Sequence, residues 1–230
     1  PDRRIAQGSK EQRRKERENF LSQIPLFAQL DEIDFEETCA SLIERRYSRG
    51  TVLMEEGMPG DFMYVVWDGR VKVTQASSDG RERILDLLET GDFFGETALI
   101  EDSLQLISVI TLEPTRLLAL SRITFLDLLS RSSELSLVVI RTLIARLRQA
   151  NAQANSLCFE GVSERTSSVL ERLARQDSAD GAILETPPLT HQQIADMIGT
   201  SRETVTRSIS QLKRRQSLSQ VGKRYRIHSG

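Results

Sequence analysis

The chain has 230 residues, 39% of them apolar and 28% charged, with 31 lysines and arginines against 33 aspartates and glutamates for a formal net charge of −2. That length suits one or two packed domains, and the apolar fraction is too high for a disordered chain. Charge-free runs end at about eleven residues, short of the ~17 a membrane helix needs; no apolar signal segment opens the sequence and two cysteines, Cys39 and Cys158, cannot build a disulfide scaffold, so a cytoplasmic protein is expected.

Residues 1–18 are almost all polar, with Arg3, Arg4, Lys10, Arg13, Arg14, Lys15 and Arg17 mixed with glutamates. They predict a mobile or loosely helical arm, solvated or in contact with phosphates. Residues 19–131 form the next part. Within it, short apolar runs at 51–54, 63–67, 70–74, 84–88, 106–112 and 117–120 lie between Gly50, Gly57, Gly60, Gly69, Gly80, Gly91 and Gly95. Short strands at near-regular spacing with turn residues between them predict an antiparallel barrel or roll. Asp79-Gly80 marks a tight turn within it.

Residues 132–158 contain neither glycine nor proline, and Leu137, Ile140, Ile144, Leu147, Asn151, Ala154 and Cys158 recur at alternating spacings of three and four. This is the rhythm of a helix packed along its length on another helix. Periodicity alone fits a parallel dimer helix and a helix lying on its own domain equally well. Glu160-Gly161 then predicts a break, a helix follows over about 162–175, and Asp177 to Gly181 with Pro187-Pro188 supply loop and turn residues.

Charge is unevenly divided. Residues 188–230 carry eight basic and two acidic residues, a net +6, which leaves −8 on the rest. A basic module on an acidic body suggests a polyanionic partner. Thr190 is a fitting N-cap for a helix through Ile198 with Ile194, Met197 and Ile198 inward. Gly199 can turn the chain, and Ser201 caps a second helix with Val205, Ile209 and Leu212 inward. A small Ala195, a glycine four residues later and an inward valine six after that give the spacing of a helix-turn-helix. The second helix then projects Arg202, Glu203, Thr206 and Arg207, where base edges would be met. A glutamate among arginines points to base reading, since on a purely phosphate-binding surface it costs affinity; the alternative is a surface salt-bridge pair. Thr190, His191, Ser201, Thr204 and Lys213 fall where phosphates would be contacted. The stretch around Gly222 looks like a two-stranded wing, whose Lys223 and Arg224 are also expected to contact phosphates.

Taken together, these features resemble the bacterial cyclic AMP receptor protein and fumarate–nitrate regulator superfamily of transcription factors, from about Phe20 onward. The matching motifs are the glycine-punctuated roll of residues 50–73, Gly91-Asp92-Phe93-Phe94-Gly95-Glu96, the long helix ending Leu157-Cys158-Phe159, and Gly199-Thr200-Ser201-Arg202-Glu203-Thr204-Val205-Thr206-Arg207. The resemblance implies an α+β fold: an N-terminal double-stranded β-roll (19–131), a dimerisation helix (132–158) and a C-terminal winged helix-turn-helix (159–230). It implies a homodimer on double-stranded DNA, with Arg202, Glu203 and Arg207 reading half-sites like TGTGA. It decides the helix in favour of a dimer seam of Leu137, Ile140, Ile144, Leu147, Asn151 and Ala154. It also implies contact with RNA polymerase near Asp180-Gly181, as in an activator.

In nucleotide-binding relatives the segment after Gly95-Glu96 is a phosphate cassette, which makes Gly95, Glu96, Thr97, Ala98, Leu106, Ile107 and Asn151 the effector-pocket candidates. The arginine and hydroxyl expected in that cassette fall on Leu106 and Ile107, and no lysine or arginine occurs between Arg83 and Arg116. A lost charge-assisted phosphate contact removes ~1.5–3 kcal/mol, so classical cyclic AMP binding is not expected and any effector is unidentified. Asn151 would contact a base or fix the seam register. No cofactor or metal is expected: a four-thiolate iron–sulfur cluster cannot be built from two cysteines, and both histidines, His191 and His228, lie in the basic module, away from a haem site. No catalytic cluster marks an enzyme.

Overall fold

A computed structural model describes residues 12, 14–77, 80–176 and 184–228. The chain divides into two compact units, Pro1–Gln75 with Asp86–Arg146, and Ala76–Leu85 with Leu147–Gly230. The boundary falls inside the long helix, so that helix is shared between the two units where the sequence reading gave it a segment of its own.

In chain order, residues 14–22 form helix α1, followed by α2 (Glu32–Ser41) and strands β1 (Ile43–Tyr47), β2 (Val52–Met54), β3 (Phe62–Asp68), β4 (Arg70–Ala76), β5 (Glu82–Glu89, divided between the units after Leu85) and β6 (Phe93–Phe94). Helix α3 (Glu96–Glu101), strands β7 (Ser108–Thr111) and β8 (Thr115–Ser121), helix α4 (Arg122–Arg131) and helix α5 (Ser133–Phe159) as far as Arg146 complete the first unit. The strands make two four-stranded sheets, ordered β1-β8-β3-β6 and β2-β7-β4-β5, with antiparallel registers such as Tyr64↔Ala119 and Val73↔Val109. This is the expected β-roll. The short strands β1 and β6 escape the sequence pattern: β1 carries Glu44, Arg45 and Arg46, and β6 has two residues.

Burial follows composition. Met63–Val66 of β3 and Leu117–Leu120 of β8 are continuous apolar runs because both faces of the β1-β8-β3-β6 sheet are covered. Their outer partners are Leu21, Ile24 and Phe27 near α1, Phe125 and Leu128 of α4, and Leu135 and Val139 of α5, in one core cluster. In β4, by contrast, Val71 and Val73 are buried while Arg70 and Lys72 are not, the alternation of a strand with one apolar face. At the predicted tight turn Gly80 has φ of +79° and its N–H donates to the Ser77 carbonyl at 2.9 Å; Asp79 lies outside the described residues.

The second unit holds Ala76–Leu85 with the start of β5, the rest of α5, then α6 (Val162–Leu173), α7 (His191–Ile198), α8 (Arg202–Arg214) and strands β9 (Arg175–Gln176), β10 (Leu184–Glu185), β11 (Leu218–Val221) and β12 (Arg224–Ile227). The break at Glu160-Gly161 occurs as expected, though with Gly161 extended at φ −69° and the Glu164 carboxylate accepting its N–H at 2.7 Å. The wing is larger than its sequence suggested: its sheet has four strands, ordered β11-β12-β10-β9. The two extra strands have two residues each, too short to show a period. The expected polar arm over residues 1–11 and Arg13, and the Asp180-Gly181 loop, lie outside the described residues.

Candidate nucleic-acid interface and ligand pocket

Helices α7 and α8 are held by caps at both ends of their connection. The Thr190 hydroxyl accepts the Gln193 N–H at 3.2 Å while Gln193 Oε1 accepts the Thr190 N–H at 2.8 Å, a reciprocal capping box. Gly199 closes α7 at φ +65°, a left-handed conformation that favours glycine. Ser201 then caps α8, its hydroxyl accepting the Thr204 N–H at 3.2 Å. Ile194, Ala195, Met197 and Ile198 of α7 and Val205, Ile209 and Leu212 of α8 are all buried, and Ala195 at 0% exposure is the close approach its size allows.

With that face inward, Arg202, Glu203, Thr206 and Arg207 are exposed and line one open depression. The Glu203 carboxyl is held below the usual carboxylate range by its own backbone N–H and the Ser201 hydroxyl, with Arg202 and Arg207 adding to the effect, so it stands ionised as an acceptor. His191 Nδ1 lies 2.8 Å from Thr206 Oγ1, tying α7 to the outer face of α8. Burial, with Arg202 and Lys213 nearby, pushes its pKa down from 6.5, which keeps it neutral at pH 7.

The phosphate-side residues divide in two. Thr190, Ser201 and Thr204 spend their hydroxyls on the caps, and Thr204 Oγ1 also accepts from Arg207 Nη2 at 3.2 Å. Lys213 donates to Gln220 of β11. Lys223 is exposed at the wing turn, while Arg224 lies 3.6 Å from Glu185.

In the β-roll, Gly95 has φ of +91° and a Cβ there would stand 2.9 Å from the Phe62 carbonyl, so both conformation and space demand glycine. Glu96 follows at 1% exposure and Ala98 at 5%, whereas Thr97 is exposed with its hydroxyl on Glu96 Oε1 at 3.2 Å. Leu106 is 62% exposed and Ile107 half-buried. Asn151 is exposed on α5.

The segment around Glu96 receives its cation from outside the 83–116 stretch. Arg146 of α5 donates through Nη1 to Glu96 Oε1 at 2.6 Å and through Nη2 to the Phe93 carbonyl, with its guanidinium 5.3 Å from the Phe93 ring centroid. A window on the cassette alone misses it, because the arginine stands 50 residues away in sequence. Its signal is the second stripe of α5, where Leu135, Val139 and then Arg146 face the core side. Glu96 Oε2 and Gln105 Nε2 remain buried without a partner.

Asp92, in the same motif, has its carboxyl pushed up to about 6 by burial and by Asp86, with Arg146 opposing. A folded-state pKa above the ordinary 3.8 contributes stability that is present below pH ~4 and lost as pH rises through about 6. Asp92→Asn is therefore expected to raise the unfolding free energy at pH 8 by about 1–3 kcal/mol and to change it little at pH 4. Urea titrations at the two pH values check this.

Residues 44–132 match the family model described as a cyclic nucleotide-binding domain, and residues 164–229 match a Crp-like helix-turn-helix domain. The chain is 34% identical over 191 residues to the Cyclic AMP receptor protein of Thermus thermophilus, covering 82% of this chain and 85% of that one. The chain belongs to the cyclic AMP receptor protein and fumarate–nitrate regulator family. It is also 31% identical over 171 residues to the CRP-like cAMP-activated global transcriptional regulator of Mycobacterium tuberculosis, covering 74% of this chain and 76% of that one. Among solved structures it is similar to the c-di-GMP responsive global regulator CLP of Xanthomonas campestris, with a TM-score of 0.65 and 26% identity over 87% of this chain and 100% of that one. As a family member the chain is a DNA-binding transcription regulator with a cyclic-nucleotide-binding-type β-roll and a winged helix-turn-helix. Among the described residues no helix is long and apolar enough to cross a membrane.

Proposed function

We propose that the protein binds, as a homodimer, an inverted repeat with TGTGA-like half-sites, and that it does so without classical control by cyclic AMP. The observation that carries the DNA reading is the convergence of Arg202, Glu203, Thr206 and Arg207 on one open face of a capped α8. Arginine can hold guanine O6 and N7 through two bonds, and an ionised glutamate accepts from cytosine N4. Lys213, Lys223 and Arg224 lie outside that face and suit phosphates. A second copy is supported by α5, where Leu137, Ile140, Ile144 and Leu147 are 44–61% exposed while Leu135 and Val139 on the other stripe are buried. Four large aliphatic side chains on one face are a seam without its partner.

Relatives named as cAMP-activated and as c-di-GMP responsive support a reading in which a small effector is considered. Here the phosphate-binding arginine is replaced by an exposed Leu106, and Glu96 already has an internal cation in Arg146. A different small molecule, or none, then sets activity, and no metal or prosthetic group enters the proposal.

The test is anisotropy on a duplex carrying two TGTGA half-sites one helical turn (~34 Å) apart. Preference over a scrambled duplex should reach ~10³-fold or more with nothing added, and saturating cyclic AMP should leave it unchanged. Arg202→Ala and Glu203→Ala should each remove ~1–3 kcal/mol of discrimination at their own base pair, while Lys223→Ala weakens all sequences alike. Equal loss on specific and scrambled duplexes for all three variants sinks the base-reading assignment.

A further inference from the structure

We propose that Thr206 reads a thymine through its γ-methyl group, and that His191 is the positioning residue that commits it to that role. This deepens the base-reading assignment above and rests on it. Thr206 is exposed on α8 and lines the same open depression as Arg202, Glu203 and Arg207. A threonine on such a face has two means of recognition. Its hydroxyl can donate to or accept from a base edge, or its methyl can pack on the C5-methyl that marks thymine in the major groove. The hydrogen bonds around Thr206 choose between them.

The Thr206 hydroxyl has one hydrogen, which it donates to the Arg202 carbonyl one turn back at 2.9 Å. His191 Nδ1 lies 2.8 Å from the same oxygen. With the hydrogen already spent, that second contact is a hydrogen bond only if Nδ1 carries a hydrogen and Thr206 Oγ1 accepts it. The opposite direction would leave two oxygens 2.9 Å apart with no hydrogen between them. The hydroxyl therefore has no donor left. The two bonds also fix χ1 of Thr206, which a threonine in a helix otherwise divides between two rotamers. What the residue can still offer a base is one lone pair and a held methyl group. A lone pair accepts from adenine N6 and cytosine N4 alike, whereas a methyl contact singles out thymine.

His191 is well placed for this. It is the first residue of α7 and is half-buried, and the capping box of Thr190 and Gln193 holds the turn that carries it. Burial, with Arg202 and Lys213 close by, keeps its ring neutral. A neutral ring with its hydrogen on Nδ1 has a bare lone pair on Nε2. A phosphate oxygen finds no donor there, so the phosphate contact expected at His191 gives way to a positioning role. Helix α7 then touches no base itself, yet fixes the group with which α8 reads one.

Nitrogen NMR on the full chain with isotopically labelled histidine reports the tautomer without DNA. His191 should carry its hydrogen on Nδ1, and a neutral ring with the hydrogen on Nε2 would overturn the positioning role. Anisotropy then uses duplexes in which each thymine of the half-site, on either strand, is replaced in both half-sites by deoxyuridine, which removes the methyl alone. One position should cost about fifteenfold in affinity, roughly fourfold for each half-site, the worth of one buried methyl. Thr206→Ser keeps the hydroxyl and should be indifferent to deoxyuridine there, while Thr206→Val keeps a methyl and should stay sensitive. His191→Phe should blunt the sensitivity, and His191→Asn, whose amide can donate in place of Nδ1, should retain it. Combining Thr206→Val with His191→Phe should bring it back, because valine holds one χ1 in a helix unaided; a merely structural His191 would instead weaken all duplexes alike. Indifference to deoxyuridine at every position in the wild-type protein, a Thr206→Ser variant as sensitive as wild type, or an insensitive Thr206→Val variant would overturn the proposal. In those cases Arg202→Ala and Glu203→Ala still lose discrimination; if they do not, the base-reading assignment falls with it.

Discussion

Arg146→Met is expected to lower the unfolding free energy at pH 7 by roughly 3–5 kcal/mol, the usual cost of leaving a buried charge without its partner. Methionine retains an unbranched stem to pack near the Phe93 ring but cannot neutralise Glu96, which is 1% exposed and has its second oxygen unpaired. The side chain of Arg146 itself is 32% exposed, so the lower end of that range is expected. Adding Glu96→Gln to the variant should restore most of the loss, because the double variant buries no charge. Urea unfolding of the single and double variants measures the coupling. A single-variant deficit below ~1 kcal/mol would place the pair among ordinary surface ion pairs and remove the reason to regard Glu96 as already occupied.

The second large effect concerns α5. Ile140→Asp with Ile144→Asp puts two carboxylates in the proposed seam, where both copies would have to bury them. The protein should become monomeric by sedimentation, and affinity for an inverted repeat should fall ~10²–10⁴-fold, the factor lost when two linked binding events become independent. Binding to an isolated half-site should change little, because α7 and α8 are built from other residues. The fold of each copy is expected to survive, since Ile140 and Ile144 are 49% and 44% exposed while Leu135 and Val139 carry the helix's own packing. A dimer that persists through both substitutions would refute the seam.

The recognition module was legible because its constraints are local. Thr190, Gly199, Ser201 and the inward positions of α7 and α8 lie within about two dozen residues, and cap chemistry, turn chemistry and helical period each restrict the same register. The roll was legible in its long strands, where continuous or alternating apolar runs record which faces are covered. Strands β1, β6, β9 and β10 were not, being too short or too charged to carry a period. The long helix was predicted to within a residue at each end. Its two stripes could not be ranked by periodicity, because a core face and a partner face have the same spacing of apolar residues.

The segment around Glu96 divides along the same line. Substitution by Leu106 and Ile107 in the cassette could be read directly, since a missing arginine is missing in any fold. The cation on Glu96 could not, because Arg146 arrives from 50 residues away, on a helix whose orientation is set by Leu135 and Val139 packing into the core.

The uneven charge, the capped helix pair and the order of roll, helix and wing were determined by the sequence itself, through residue types acting on near neighbours. Only the tertiary structure decided which charges are paired and which stripe of α5 stays exposed. Those outcomes depend on side chains far apart in the chain, and burial, which sets the energy of a charge or an apolar face, exists only once they have packed.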